Sequence, residues 1–521
     1  MTAIPRTSHQ ESLFMKYLPF SISIFAIALS LIFSGCKTTQ PNQDTSIPTN
    51  SPLVDMASPT EINQALLADE TANVIHPVAD IEITLSDDDV HVNDNLWHEI
   101  RAKMTFDVPE RARLISQRNW YAKHENYLDR VARRAEPFLY YIVQELEKNN
   151  MPIELALLPI VESAFDPFAY SHGRASGMWQ FVPNTGKRFG MKQNWWYDGR
   201  RDVVASTEGA IAYLKYLNRY FDGDWLLALA AYNSGEGRVR RAMKSNARKN
   251  KPTDFWSLDL PKETRDYVPK LLALADIIKR PEDFNIKLYE IENKAVIDQV
   301  DIGSQLDLAK AAELADLSLP ELQRLNPGFN RWSTDPDGPH RLLIPTRKKV
   351  AFVEGLSKLS EEDRLAWQRY KIKRGDNLGE IAQKFNTSIA LIKQVNDVGG
   401  TQIRAGKHLL IPVAARSLDS YILSKNQRLA KKQGSQRSGI KTTHIVQSGD
   451  TLWDLSQYYK VGTRSIAKWN GMAPKDYIKP GQKLVIWQKT AHVKSSGVTI
   501  ENAIMRNITY KVRSGDSLAR I

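Results

Sequence analysis

Apolar residues recur three and four positions apart through ENYLDRVARRAEPFLYYIVQELEKNN, a spacing that predicts one long amphipathic helix closed by Asn149 and Asn150. Helical periodicity starts near Leu96 and Trp97 and continues, with turns marked by Gly and Pro, to about Arg280. Residues 95–280 therefore read as one mainly α domain. Inside it, the run ELALLPIVESAFDP is almost wholly apolar until it meets Glu162 and Ser163. In a helix, Leu155 and Leu158 stand seven and four positions before Glu162, so the three share one face, the buried one. A carboxylate placed there is either costly or useful.

The C-terminal third changes pattern and repeats itself. Residues 369–413 and 443–488 each predict a strand, a Gly-Asp turn, two short helices, an Asn, a Gly-containing turn and a closing strand. Leu378 to Asn396 and Leu452 to Asn470 are both separated by 18 residues. Residues 285–347 look like a worn copy, with Leu306, Asn326 and Ile344-Pro345 but no Gly-Asp turn. A further copy opens within 509–521 and has five residues after Asp516, so a truncated module is expected there. Between the two clear copies, 414–442 reads as a basic linker with a short helix near SYILSKNQRLAKK. From Arg416 to Lys441 it holds seven Lys or Arg against Asp419, a composition that suits a solvated connector. The recurring units resemble the LysM module, a small βααβ fold. That resemblance implies binding of N-acetylglucosamine-containing glycans, with a structural role expected for the worn copy.

The N-terminus adds a compartment. Leu18 to Cys36 carries an apolar core short for a membrane span and ends in small residues before the single cysteine of the chain. This resembles a bacterial lipoprotein signal over 1–36, with Cys36 as the lipidated residue and Met15 as an alternative start. Phe33 stands where such signals usually carry Leu. Lys37, where an Asp would favour the inner membrane, leans towards the periplasmic face of the outer membrane. Residues 37–94, rich in Thr, Ser, Pro and Asn at their start, read as a polar tether. The formal charge of +12 points to an anionic partner, but no nucleic-acid-reading motif accompanies it. No metal-ligand cluster, phosphate loop or dinucleotide fingerprint is present in the sequence, so no cofactor or metal is expected. The oligomeric state is not legible.

Four blocks carry the chemistry: Glu162-Ser163; YSHGRASGMWQF from Tyr170; LALAAYNSGEGRV from Leu227; and ETRDYV from Glu263. In this order they resemble the lytic transglycosylase domain of the goose-type lysozyme superfamily. The resemblance implies a multidomain protein: a mainly α lysozyme-like catalytic domain followed by LysM modules, acting on peptidoglycan. It implies Glu162 as the catalytic acid, with Ser163, Ser171, Gln180, Tyr232, Asn233 and Tyr267 contacting substrate. Trp179 replaces a Met of the family's segment and is expected to alter the cleft lining.

Chemistry supports the same assignment. A proton donor must stay protonated near neutral pH, where a free Glu is ionised, and burial raises its pKa. Asp166 is the nearest second carboxylate, but just before Pro167 it suits a turn better than a catalytic pair. A single acid, working with the sugar's own N-acetyl and C6 hydroxyl groups, is the expected mechanism. A hydrolytic muramidase and an inactive wall-binding scaffold are the alternatives. His172 reads as a rim residue, and Trp195, Trp196 and Tyr197 as sugar-stacking or packing aromatics.

Overall fold

A computed structural model describes residues 95–488. The expectations for Met15, Cys36 and Lys37, for the tether and for 509–521 lie outside the described residues.

The helical unit contains α1 (Leu96–Ala102), α2 (Ala112–Ala122), α3 (Glu125–Lys148), α4 (Leu158–Ser163), α5 (Pro183–Arg188), α6 (Val203–Tyr220), α7 (Trp225–Ser234), α8 (Glu236–Ala247) and α9 (Lys262–Lys279). The long helix α3 buries Leu128, Val131, Ala135, Phe138, Leu139, Ile142 and Leu146, the stripe its periodicity predicts. It ends where Asn150 turns to φ 52°. Asp202 and Asp224 cap α6 and α7, accepting from Ala205 N at 2.8 Å and Leu227 N at 3.0 Å. One apolar core runs through the unit, from Leu96 to Ile291.

Three two-stranded units follow. The first pairs β1 (Ile297–Asp301) with β2 (Arg341–Pro345) around α10 (Leu308–Leu314) and α11 (Leu319–Leu325), and α12 (Lys349–Ser357) follows it. The second pairs β3 (Ala366–Lys371) with β4 (His408–Val413) around α13 (Leu378–Lys384) and α14 (Ile389–Val395). Then comes α15 (Lys425–Gly434), and the third unit pairs β5 (Ile440–Ile445) with β6 (Lys483–Gln488) around α16 (Leu452–Tyr458) and α17 (Thr463–Trp469). All three pairs are antiparallel, with registers that run Ile297↔Pro345, Ala366↔Val413 and Ile440↔Gln488.

The recurring asparagine ties each unit together in the same way. Asn396 Nδ2 donates to Ile392 O and Leu410 O, both at 2.8 Å, and its Oδ1 accepts from Leu410 N at 2.7 Å. Asn470 repeats this with Ile466 and Val485, and Asn326 with Leu322 and Leu343. The worn copy thus keeps the bond set joining its second helix to its closing strand. In the two clear copies, Gly375 and Gly449 take φ of 93° and 95°, and the following Asp376 and Asp450 accept the backbone N–H three residues back.

Residues 414–442 stay largely exposed, and α15 buries no residue, but the segment is fastened at several points rather than free. Tyr421 is buried, and its hydroxyl donates to both carboxylate oxygens of Asp307, at 2.9 and 3.0 Å. Lys425 N donates to Asn330 O at 2.9 Å, and the Arg428 guanidinium lies 4.7 Å over the Phe168 ring. The segment is a docked strap. Its charge suggested solvation, but planar guanidinium faces and aliphatic stems also pack. Trp196 and Tyr197 likewise pack rather than stack sugars, while Trp195 is half-buried. Trp196 meets Trp332 edge-on at 5.7 Å, Tyr197 lies 5.4 Å from Phe329, and both are buried against the first two-stranded unit.

Candidate active site

The apolar run around Glu162 forms a 3-10 turn over Ile153–Leu157 and then α4, with Pro159 in its first turn. Every residue from Ile153 to Phe165 is buried, so the run has no exposed face for periodicity to mark. Leu155 and Leu158 are fully buried, as expected, but so are their neighbours. Ala164 and Phe165 adopt φ of 51° and 56°, ending α4 directly after Glu162-Ser163. Non-glycine residues in this region are held there by their surroundings.

Four blocks distant in sequence converge on this end. Tyr267 on α9 donates its hydroxyl proton to Glu162 Oε1 at 2.5 Å. One turn earlier, Thr264 Oγ1 donates to Asn233 Oδ1 at 2.8 Å, near the C-terminus of α7. Beside Asn233, the Tyr232 hydroxyl donates to Trp179 O at 2.8 Å. Ser163 Oγ donates to Met178 O at 2.9 Å. The 177–180 turn is thereby fastened from both sides. Gly177 takes φ 84°, and a Cβ there would stand 1.8 Å from Arg200 O, so only glycine fits. Gln180, at φ 49°, donates from Nε2 to Gly177 O at 2.7 Å, while its buried Oε1 has no donor. An unmatched buried acceptor of this kind can receive a sugar hydroxyl or amide.

Two expectations change here. Ser163, expected to line the cleft, is fully buried with its hydroxyl engaged by backbone carbonyls, so it lies beneath the floor. Trp179, expected to alter the lining, is also fully buried and donates its indole N–H to Thr207 Oγ1 at 3.1 Å. It fills core rather than cleft. Ser171 is buried too, and its Oγ accepts from Ala175 N at 3.0 Å, closing the 171–175 turn. Asp166 Oδ1 accepts from Phe168 N at 2.8 Å, the Asx turn its place before Pro167 suggested. His172 is half-buried in the same loop. Thr264, which holds Asn233, escaped sequence reasoning, although it lies three residues before Tyr267 in the same block.

Glu162 is 5% exposed, and its carboxyl is pushed up to about 8. Burial is the main cause, and Glu263 adds to it. The Tyr267 hydrogen bond and Lys270 oppose the shift. A carboxyl in this state carries its proton at neutral pH and can deliver it.

The transglycosylase SLT domain model matches residues 140–255. A LysM-like domain model of lytic transglycosylase MltD matches 296–361, and the LysM domain model matches 370–412 and 444–487. The chain is 36% identical over 412 residues to membrane-bound lytic murein transglycosylase D of Escherichia coli (strain K12), covering 77% of this chain and 87% of that one. The chain belongs to this family. It is a peptidoglycan lytic transglycosylase with LysM wall-binding modules, an envelope protein associated with a membrane. Over 166 residues the transglycosylase is also 46% identical to a putative tributyltin chloride resistance protein of Alteromonas sp. (strain M-1), covering 31% of this chain and 80% of that one. An inactive mutant of lytic transglycosylase Slt from Pseudomonas aeruginosa aligns with a TM-score of 0.23 at 23% identity, over 36% of this chain and 32% of that one. Among the described residues, no helix is long and apolar enough to cross a membrane.

Proposed function

We propose that Glu162 is the one acid–base group of this transglycosylase. The observation that carries the proposal is its buried carboxyl, raised to about 8 and held at Oε1 by Tyr267. Protonated Glu162 gives its proton to the glycosidic oxygen between the muramic acid and glucosamine units, and the N-acetyl group of the muramic acid assists departure. The carboxylate so formed takes the proton of the C6 hydroxyl as that oxygen closes on C1, leaving a 1,6-anhydro end. The carboxyl regains its proton and no water is consumed. An intramolecular nucleophile has the advantage of proximity, so a second carboxylate is not required. Asp166, the nearest alternative, is engaged in its turn. Gln180, Tyr232, Asn233 and Tyr267 form the polar surround of the sugar, with Ser163 and Ser171 fixing the loops beneath it.

Glu162→Gln is the test. Digestion of isolated sacculi by this protein should release no anhydromuropeptides, while circular dichroism stays that of the wild type. Release at the wild-type rate would remove Glu162 from the mechanism, and wild-type products heavier by one water would favour hydrolysis.

The finer localisation rests on the small residues before Cys36 and on Lys37. Lipidation at Cys36 anchors the chain to the periplasmic face of the outer membrane in this proposal. A Cys36→Ser protein should then move from the outer-membrane fraction to the soluble fraction, and one that stays would refute the anchor.

A further inference from the structure

Five cations gather where the helical unit, the first two-stranded unit and the strap meet. Arg201 and Arg331 are 6% and 7% exposed. Arg201 donates to Pro327 O at 3.1 Å and to Asn330 Oδ1. Arg331 donates to Trp195 O at 3.1 Å and Asn426 Oδ1 at 2.7 Å, with its guanidinium 3.9 Å over the Trp195 ring. Lys425 N is tied to Asn330 O, and Arg428 lies over Phe168. Lys432 follows Arg428 one turn later on α15. These partners are carbonyls, amides and rings, none of them charged. Among the described residues, the ion pairs include none of the five.

Two carboxylates face the cluster without pairing closely with it: Asp198 acts on Arg201 and Lys425, and Asp166 acts on Arg428 and Lys432. Asp198 is held by Arg200 through two bonds of 2.9 and 2.8 Å, and Asp166 caps its own turn. Burial and then Arg201 pull Arg331 down to about 10. Burial, followed by Arg201 and Arg331, also lowers Lys425, and Lys432 is lowered by burial and by Lys468 and Arg428. Lys425 and Lys432 nevertheless keep exposed surface, so the patch reaches solvent. Two carboxylates against five cations leave the charge only partly compensated, which is costly without a further anion.

We propose that this basic patch binds the carboxylates of the peptide stems on the peptidoglycan strand being cut. The proposal rests on peptidoglycan as substrate. While the stems are attached, the lactyl carboxyl of each muramic acid is an amide and the N-acetylated sugars are neutral, so the stems are the part of the strand that can answer the charge. The patch also touches the loop after Glu162: Phe168, under Arg428, lies six residues beyond the proposed acid.

The test uses the full chain and two substrates, stem-bearing glycan strands and the same strands stripped of stems by an amidase, whose remaining carboxylates are the lactyl groups held directly against the sugars. The variant Lys425→Gln/Arg428→Gln/Lys432→Gln removes three charges of the strap. Three lost ion contacts of partly screened strength predict a fall in kcat/KM of about tenfold on stem-bearing strands, mostly in KM. Activity on stripped strands should be unchanged. Equal losses on both substrates, or no loss on either, would overturn the proposal. So would weakened binding to phosphatidylglycerol vesicles with both activities intact. If the triple variant unfolds, Lys425→Gln alone should show a smaller KM rise confined to stem-bearing strands, and its absence counts against the patch as a stem site. A wild-type protein that cuts neither substrate would instead refute the enzymatic function on which the proposal depends.

Discussion

At the scale of single residues, the chemistry turns on how Glu162 keeps its proton. A carboxyl raised to about 8 is an acid at neutral pH and loses that role as pH rises through its pKa. The alkaline limb of kcat/KM should therefore fall near pH 8. Tyr267 stabilises the ionised form through its hydroxyl, so it lowers the pKa that burial has raised. Tyr267→Phe removes that bond without removing the ring. The limb should then shift to higher pH, while kcat falls by roughly tenfold because Oε1 has lost its orienting donor. A pH–rate profile of both proteins measures this. A limb that stays put or moves to lower pH would show that Tyr267 does not act on the Glu162 carboxyl.

At the scale of elements, legibility follows from whether a residue's task is local. The α3 stripe was legible because each buried residue has its partner three or four positions away. The LysM-type units were legible because the fold demands particular residue types. An Asn must hold both a helix end and a strand, and a Gly must take positive φ before an Asp that accepts three residues back. The same demand explains why Asn326 persists in the worn copy after its Gly-Asp turn has gone. The segment before Glu162 was only half legible. Its burial was clear from composition, but its 3-10 start and all-round enclosure were not, since a periodicity argument presumes an exposed face. The contacts of Ser163, Trp179 and the strap are illegible for a related reason. Their partners Met178, Thr207 and Asp307 lie 15, 28 and more than a hundred positions away, and no local pattern announces them.

At the scale of the molecule, the third two-stranded unit touches the loop beside the site. Arg174 donates from Nη2 to Lys475 O at 2.7 Å, and its Nε pairs with Asp476. Arg174 sits at φ 67° in the 171–175 turn, and its own carbonyl accepts from Arg200 Nη1 at 2.7 Å. The wall-binding unit and the loop carrying Ser171 are thus joined through one side chain. The pair is partly exposed, at 38% and 21%, so its coupling should be near 1 kcal/mol rather than that of a buried bridge. Asp476→Asn keeps a side-chain oxygen for Ala473 N, which Asp476 Oδ2 accepts at 2.7 Å, while removing the charge that faces Arg174. Arg174→Gln removes the other charge. Either change should speed amide exchange across 170–176 by roughly fivefold, and the double variant should add little more, because one interaction has been broken twice. Effects that simply add would mean that the two residues act separately and that the loop does not sense the module.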